Sequence, residues 1–252
     1  LGLGKLVAIY DDNGISIDGQ VAGWFTDDTR QRFEAYGWRV IAGIDGHDAQ
    51  AIDEALLAAR TDGERPTLLC CRTQIGFGAP TKVGSHDAHG APLGAAEVAA
   101  TRAHIDWPHA PFDIPVEVYA QWDGRVRGSF FHSNWQKRWA AYATAFADLA
   151  AEFSRRMQGE LPAGWQDAVA GCLAGAANAG GVATRKASQN AIAALAPQLP
   201  ELVGGSADLT GSNLPWWPGA RAITCHAGGN YIYYGVREFA MTAIANGLAL
   251  HG

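Results

Sequence analysis

The sequence predicts an α/β fold made of two domains, each a mostly parallel sheet flanked by helices and each incomplete in this chain. Short apolar runs alternate with amphipathic segments over residues 6–73, and this strand–helix–strand–helix–strand pattern is typical of a parallel sheet. A second, shorter unit of the same kind follows residues 159–165, whose Gly and Pro residues indicate a linker. We therefore expect one domain over residues 1–150, a linker region over 151–180 and a second domain over 181–252.

The first domain is expected to contain three strands with two helices between them. Thr26 is expected to cap the first helix and Asp48 the second, because both residue types accept hydrogen bonds from free N–H groups at a helix start. Ligands of parallel sheets bind at the carboxyl ends of the strands, so the polar loops at residues 11–17 and 74–89 are expected at one functional edge. The predicted strands are residues 6–10, 38–44 and 67–72.

Polar and aromatic stretches fill the remainder of the chain. Residues 76–94 form a Gly- and His-containing loop whose length is typical of a functional segment. One aromatic-rich helix is expected over residues 134–157. The other predicted elements are helices at 94–105 and 185–197, strands at 202–206 and 222–225, and a terminal helix that starts near Arg237.

The composition indicates a globular protein and argues against two classes of partner. Of the 252 residues, 48% are apolar, which is enough for a sizeable core, and the net charge of -6 provides no basic surface for nucleic acid. No apolar run approaches the roughly 20 residues that cross a bilayer, so no membrane partner is expected. The adjacent Cys70 and Cys71 lie in an apolar run, and the four cysteines show no CxxC or disulfide-framework spacing. They are interpreted as buried, reduced thiols of a cytoplasmic protein.

The first polar loop, residues 11–19, brings an amide side chain and several backbone carbonyl groups close together. Hard cations such as Mg²⁺ and Ca²⁺ favour such oxygen ligands, and a bound diphosphate would supply others. An ordinary polar turn after a strand is the alternative, and this loop alone does not decide between them.

The second polar loop contains His86 and His89 with Asp87 between them, a pattern that raises the question of a zinc site. Zinc needs at least a third protein ligand, and no HExxH motif or cysteine cluster supplies one. Zinc is therefore disfavoured. A histidine can also donate to phosphate or relay protons near neutral pH.

Two segments of the second domain are candidates for phosphate binding. Arg185 lies at the start of a predicted helix, where its guanidinium and the positive end of the helix dipole suit an anion, although a surface arginine is the plain alternative. Gly204 and Gly205, followed by hydroxyl residues, could cradle phosphate or could form an ordinary turn.

Glu238 stands at the start of the terminal helix among aromatic and apolar neighbours. An ionised carboxylate is costly to bury, so this setting favours its protonated form. The alternative is an ion pair with the neighbouring Arg237.

Five segments in this order resemble the transketolase family, and the resemblance spans nearly the whole chain. They are LVAIYDDNGISIDGQVAGWFTDD, IGFGAP with GSHDAHGAPLG, RKASQ, GGSADLTGSN and NYIYYGVREFAM. The resemblance implies thiamine diphosphate and a divalent metal (Mg²⁺, Ca²⁺ or Mn²⁺) as cofactors. It also implies reversible transfer of a two-carbon ketol unit from a ketose phosphate of the xylulose 5-phosphate type to an aldose phosphate of the ribose 5-phosphate type. That reaction passes through a carbanion held on thiamine diphosphate and serves the pentose phosphate pathway and the Calvin cycle.

The resemblance also assigns residues in the first domain. The Asn13 side chain and the Ile15 carbonyl would bind the metal, and Ile17 would lie against the thiazolium region of the cofactor. His86 would contact both the cofactor diphosphate and the substrate and act in catalysis, whereas His89 has no such assignment. The other half of the metal motif, a GDG segment with a metal-binding Asp, is expected upstream of Leu1.

In the second domain the resemblance implies that Arg185 and Ser212 hold the sugar phosphate and that Asp208 lies close to the cofactor. Glu238 would be catalytic because it shares a proton with the aminopyrimidine ring. Gly211 departs from the family pattern, in which Pro is familiar at this position, and this should loosen the loop.

The resemblance implies a homodimer with the active site at the subunit interface, where Asn13 of one subunit meets Glu238 of the other. The chain is expected to be an internal piece that is inactive alone. Two alternatives stay open: a related ketol transferase such as dihydroxyacetone synthase, and a non-catalytic piece that acts only as a folded or dimerising unit.

Overall fold

The computed structural model describes residues 2–251 and divides the chain between Trp122 and Asp123 into two units. The predicted α/β class is confirmed, since parallel strands and helices make up both units. The domain limits at residues 150 and 180 stay a prediction.

Unit 1 is built on a parallel three-stranded sheet. Its elements are β1 (Val7–Asp12), β2 (Ile15–Ser16), β3 (Gly19–Gln20), α1 (Thr29–Ala35), β4 (Arg39–Asp45), α2 (Ala49–Ala59), β5 (Thr67–Arg72), a 3₁₀ turn (His86–Ala88), α3 (Ala95–His104) and α4 (Val116–Trp122). The strand order is β1-β5-β4, and β2 and β3 form a separate antiparallel hairpin. Asp12 and Asp45 both pair with Arg72, so the three strands end at the same level. The loops that follow β1 and β5 therefore share one edge, as the sequence predicts.

The core of unit 1 lies between α2 and the sheet. Ala55 and Ala59 of α2 pack with Ile44, Leu69 and Cys71 of the strands, because they lie on the apolar face of this amphipathic helix. Asp48 caps α2 as predicted.

The thiols of β5 are free and buried, as predicted. Adjacent strand residues point to opposite faces, so Cys71 enters the core while Cys70 lines a cavity of about 600 Å³ on the other face. Burial raises the pKa of both thiols. Cys225, in contrast, is exposed, so the expectation that it is buried was wrong.

The cap of α1 differs from the prediction. Thr26 is not the N-cap; Asp28 occupies that position, and its carboxylate accepts a hydrogen bond from the Gln31 N–H at 2.9 Å. A carboxylate at the positive end of the helix satisfies a free N–H and interacts favourably with the dipole, which explains the later start.

Unit 2 contains a two-stranded parallel sheet and six α-helices among the described residues. Its elements are α5 (Arg125–Ala145), α6 (Ala147–Met157), α7 (Trp165–Asn178), α8 (Thr184–Leu195), a 3₁₀ turn (Ala196–Gln198), β6 (Gly204–Ser206), α9 (Thr210–Asn213), β7 (Tyr231–Tyr233) and α10 (Glu238–His251). The core of the sheet is the completely buried Tyr231, which packs with Ala196, Trp217 and Ala220.

The strand expected at residues 222–225 is not formed. Only Ala222 makes an isolated bridge, to Tyr231 of β7. The Thr224 hydroxyl accepts hydrogen bonds from the N–H groups of His226 and Ala227, at 3.2 Å and 3.0 Å, and so turns the chain straight after the bridge.

The single helix expected over residues 134–157 is two helices. Phe146 leaves the helical conformation (φ -136°, ψ 60°) and separates α5 from α6. The break lets Phe153 of α6 pack on Trp139 of α5, with ring centroids 5.2 Å apart. Aromatic packing between the two helices thus accounts for a boundary that helical periodicity alone does not reveal.

An ion-pair network ties α6 to the turn before β6. Arg155, whose side chain is 13% exposed, lies 2.7 Å from Glu152 and 2.9 Å from Glu201, and Arg156 also contacts Glu152 at 2.8 Å. Hydrogen bonds from Arg155 and Arg156 lower the pKa of Glu152 to about 2, and Arg155 also lowers the pKa of Glu201.

This network predicts a specific pH dependence. Because both carboxyl pKa values are lower in the folded state, the stability they contribute is present above their unfolded pKa and is lost as the pH falls towards about 2. We expect the free energy of unfolding to fall less steeply between pH 5 and 2 in Arg155→Ala than in the unchanged chain, as measured by urea titration. Arg30→Ala, which breaks an exposed pair with Glu34, is the control. Parallel curves for Arg155→Ala and the unchanged chain would contradict the prediction.

Candidate active site

The loop after β1 positions Asn13 through a local turn. Asn13 is half-buried, and its Oδ1 accepts a hydrogen bond from the Ile15 N–H at 3.1 Å. Gly14 has φ +70°, a conformation that favours glycine, and its carbonyl accepts from the Val21 N–H at 3.1 Å. This bond closes the β2–β3 hairpin against the end of β1. Ile17 lies at the hairpin tip and is 67% exposed.

The Asn13 turn suits a hard cation better than zinc. Amide and backbone carbonyl oxygens are the donors that Mg²⁺ and Ca²⁺ prefer, and Oδ1 of Asn13 keeps a second lone pair besides the one that Ile15 uses. Within residues 2–251, no group of three or more His, Cys, Asp or Glu side chains is arranged to hold a metal ion. The oxygen donors of this turn fit the predicted hard cation, whose binding stays a prediction.

The loop after β5 presents His86 at the first position of the 3₁₀ turn. Ser85 caps this turn, because its Oγ accepts from the Asp87 N–H at 3.1 Å. His86 is exposed, and its Nε2 lies 3.5 Å from Oδ1 of Asp87. The Gly84 N–H donates to the Ile75 carbonyl at 2.8 Å, so the turn is held beside the end of β5.

Side chains tie the loops of this edge to one another. Gln20 of the β2–β3 hairpin donates from Nε2 to the Gly84 carbonyl at 3.3 Å. His47, after β4, stacks on Phe77 with ring centroids 3.8 Å apart, and its Nε2 accepts from the Gln74 N–H at 2.8 Å. Loops from all three strands thus form one polar edge, which includes a cavity of about 700 Å³ beside His47.

In unit 2 the turn after β6 carries Asp208 and Ser212. Asp208 has φ +60°, which Asp tolerates better than most residues. The buried Ser206 stabilises the turn, since its Oγ accepts from the Leu209 N–H at 3.1 Å. Ser212 follows in α9 and is exposed. Asp208 and Ser212 therefore both lie within six residues of the end of β6.

The glycine pair of this segment serves packing, not a phosphate cradle. Gly204 and Gly205 lie within β6. A Cβ atom on Gly204 would lie 2.7 Å from the Trp217 ring, and one on Gly205 would lie 2.5 Å from both the Ile232 carbonyl oxygen and the Tyr234 ring. The absent side chains therefore let β7 and its aromatic rings approach β6 closely.

Arg185 and Glu238 each lie in the first turn of a helix and are exposed. The alternative of an ion pair between Arg237 and Glu238 is not formed in the described residues; Arg237 instead donates from Nη1 to the Tyr234 carbonyl at 2.9 Å. Unit 2 does not supply the burial expected for Glu238. Glu238 is exposed, and the side chain of its neighbour Phe239 is 89% exposed.

The structure brings together some of the predicted residues and not others. One edge of unit 1 carries Asn13, Ile15, Ile17 and His86. Unit 2 carries Arg185, Asp208, Ser212 and Glu238. Arg185 lies in α8 and Ser212 in α9, and both are exposed; their shared phosphate site stays a prediction.

Sequence reasoning does not single out Gln20 or His47, although both hold this edge together. His47 stands in an Asp-Gly-His-Asp run that begins with Asp45, the last residue of β4, and a polar cluster at a strand end is a signal that could have marked it. Gln20 gives no comparable signal, because its bond to Gly84 spans 64 positions of the chain.

Comparisons with known proteins agree with the fold and with the order of the segments. The model of the transketolase thiamine diphosphate binding domain matches residues 1–162, and that of the transketolase pyrimidine binding domain matches residues 180–252. Transketolase 1 of Escherichia coli is 59% identical over 253 residues, and Transketolase 2 of Vibrio parahaemolyticus is 58% identical over 254. The crystal structure of a Pichia stipitis transketolase complex with sedoheptulose-7-phosphate matches with a TM-score of 0.88 at 37% identity. The matches to these three relatives each cover 100% of this chain, which spans 38% of the length of each relative.

The fold and the two matched domains place the chain among the thiamine diphosphate-binding α/β proteins. It belongs to the transketolase family. The resemblance drawn from the five sequence segments is thereby confirmed.

Among the described helices, none is long and apolar enough to cross a membrane.

Proposed function

We propose that the complete enzyme containing this chain transfers two-carbon ketol units from a ketose phosphate of the xylulose 5-phosphate type to an aldose phosphate of the ribose 5-phosphate type. The observation that carries the proposal is the edge of unit 1, where the Asn13 turn and the His86 turn are joined through Gln20 in a chain that matches both domains of the family. We place the reaction in the cytoplasm, in the pentose phosphate pathway or the Calvin cycle.

The residues of this edge are proposed to hold thiamine diphosphate and Mg²⁺, or alternatively Ca²⁺ or Mn²⁺. Asn13 would contribute its amide oxygen and Ile15 its carbonyl, while the exposed Ile17 would pack against the thiazolium region. When bound, the cofactor supplies an electron sink for cleavage of the carbon–carbon bond. His86 is proposed to donate to the diphosphate and to orient the reacting end of the sugar.

The second unit is proposed to hold the sugar phosphate and to move a proton. Arg185 and Ser212 would bind the phosphate through a charged fork and a hydroxyl, and Asp208 would lie close to the cofactor. Glu238 would exchange a proton with the aminopyrimidine ring. A homodimer is part of the proposal, in which Asn13 of one protomer and Glu238 of its partner serve the same active site.

A coupled assay on the complete enzyme tests this function. Xylulose 5-phosphate is the donor, and ribose 5-phosphate is compared with formaldehyde as the acceptor. Faster turnover with ribose 5-phosphate supports a transketolase. Preference for formaldehyde would instead indicate a ketol transferase of the dihydroxyacetone synthase type.

The same assay tests the phosphate role of Arg185. Loss of a charged donor to phosphate predicts that Arg185→Ala raises KM for the phosphorylated donor about 10- to 100-fold, with a much smaller effect on an unphosphorylated ketose. Lys186→Ala is the matched control, because Lys186 is exposed in the same helix turn and its Nζ donates to Oε1 of Gln189, within the same helix, at 2.8 Å. Equal losses with both donors would count against the phosphate role.

A further inference from the structure

Glu97 is a buried carboxylate in unit 1 that has no part in the proposed chemistry. It lies in the first turn of α3 and is only 9% exposed. Its Oε1 accepts hydrogen bonds from the Thr81 N–H at 2.7 Å and the Lys82 N–H at 3.1 Å, and its Oε2 accepts from the Thr81 hydroxyl at 2.7 Å. Both oxygens are therefore used to hold a loop that lies 15 or 16 positions earlier in the chain.

These bonds keep the carboxylate ionised. The Thr81 hydroxyl, the two backbone N–H groups and the charge of Lys82 lower the pKa of Glu97, against the opposing effect of burial. A glutamate in the first turn of a helix commonly bonds back to the N-cap of its own helix. Here the N-cap is Gly94, without a side-chain bond, and the carboxylate of Glu97 is directed to the preceding loop instead.

The anchored residues lead directly to the His86 turn. The Lys82 carbonyl accepts from the Ser85 N–H at 3.2 Å, and Ser85 caps the 3₁₀ turn that begins at His86. Only three residues separate Lys82 from His86. The His86 side chain is exposed, and its Nε2 lies 3.5 Å from Oδ1 of Asp87, its neighbour in the same 3₁₀ turn. The position of the imidazole therefore depends on the backbone that carries it.

We propose that Glu97 is a positioning residue for His86: its carboxylate fixes the Thr81–Lys82 segment and thereby the 3₁₀ turn that presents the imidazole. The inference rests on the proposed role of His86 in the active site. It differs from a purely structural role of Glu97, because the effect on the reaction would pass through the His86 side chain.

Three variants of the complete enzyme measure how far the Glu97 carboxylate affects the reaction. Glu97→Ala removes all three hydrogen bonds, whereas Glu97→Gln keeps an acceptor oxygen for the two backbone N–H groups. Glu117→Ala is the matched control, since Glu117 lies in the first turn of α4 and is exposed. We expect Glu97→Ala to lower kcat/KM about 10- to 100-fold, Glu97→Gln to restore part of the loss, and Glu117→Ala to stay within about twofold.

A double-mutant cycle with His86→Ala tests whether Glu97 acts through His86. If it does, adding Glu97→Ala to His86→Ala changes kcat/KM by less than about twofold, because the positioned group is already gone. Losses that multiply would overturn the inference and leave Glu97 with a structural role only. Unchanged activity of Glu97→Ala in the His86-containing enzyme would overturn it as well.

Hydrogen exchange distinguishes failure of this inference from failure of the proposed function. The N–H groups of Thr81 and Lys82 should exchange faster in Glu97→Ala and at the original rate in Glu117→Ala. Unchanged exchange would overturn the anchoring by Glu97 whatever the activity. If exchange accelerates but His86→Ala is fully active, the proposed role of His86 is wrong, and the positioning inference is overturned with it.

Discussion

Replacement of Glu238 by Gln is expected to lower kcat of the complete enzyme by about two to four orders of magnitude, because the amide cannot exchange a proton with the cofactor. The fold should be retained. Glu238 is exposed in the first turn of α10. Its backbone carbonyl accepts a hydrogen bond from the Thr242 hydroxyl at 3.1 Å, and a change of side chain leaves this bond in place. Steady-state kinetics with saturating donor and acceptor measure the effect, and thermal unfolding followed by circular dichroism checks the fold.

Glu117→Gln provides the control for this prediction. It makes the same chemical change in the first turn of another helix, α4, and should leave kcat within about twofold. Near-normal turnover of Glu238→Gln would remove Glu238 from the catalytic proposal. A large loss accompanied by unfolding would point to a structural role instead.

Replacement of Gly205 by Ala is expected to lower the free energy of unfolding by about 1–3 kcal/mol. The close approach of backbone and ring atoms to the new Cβ favours the upper part of that range. The new methyl group would lie 2.5 Å from the Ile232 carbonyl oxygen, which is backbone, and 2.5 Å from the ring of the buried Tyr234. Neither neighbour is the free end of a flexible side chain, so β6 and β7 would have to separate. Urea unfolding monitored by tryptophan fluorescence measures the change, since Trp217 lies against this sheet.

Gly211→Ala is the matched control for the strand glycine. Gly211 lies in α9, and a Cβ atom there would have no neighbour within 4 Å. Because Ala favours helix more than Gly does, the variant should be neutral or stabilised by up to about 1 kcal/mol. An equal loss for Gly205→Ala and Gly211→Ala would mean that close packing of β6 against β7 is not the cause.

The parts of the fold that the sequence predicts are those with strong local signals. The three strands of the parallel sheet in unit 1 contain short apolar runs, and Asp48 is the good capping residue directly before the helix α2. The predicted start of α1 was wrong because Thr26 and Asp28 are both residue types that cap helices. The choice between them depends on which side chain reaches the Gln31 N–H.

Elements that depend on distant contacts are less accessible to sequence reasoning. β7 is three residues long, and it becomes a strand by pairing with β6, which lies far from it along the chain. The break at Phe146 likewise depends on packing between Trp139 and Phe153. Tyr and Ile favour strands, but the three residues of β7 are too few to show a periodic pattern, and the break at Phe146 shows none either.

The candidate site shows the same division. The predicted residues of unit 1, such as Asn13 and His86, stand in polar loops after strands, which the order of elements places at one edge. The role inferred for Glu97 is invisible locally, because a glutamate early in a helix has an ordinary explanation. Its burial and its bonds to Thr81 and Lys82 exist only in the folded chain.

The Arg155 network bears on how this protein can be divided. Arg155 belongs to the stretch matched by the diphosphate-binding domain model, and Glu201 belongs to the stretch matched by the pyrimidine-binding domain model. The Arg155–Glu201 ion pair therefore joins the two stretches matched by these domain models, and both residues lie within unit 2. A shortened chain that began between the two matched stretches would expose Glu201 without its arginine, so its behaviour would reflect a broken contact as well as the isolated domain.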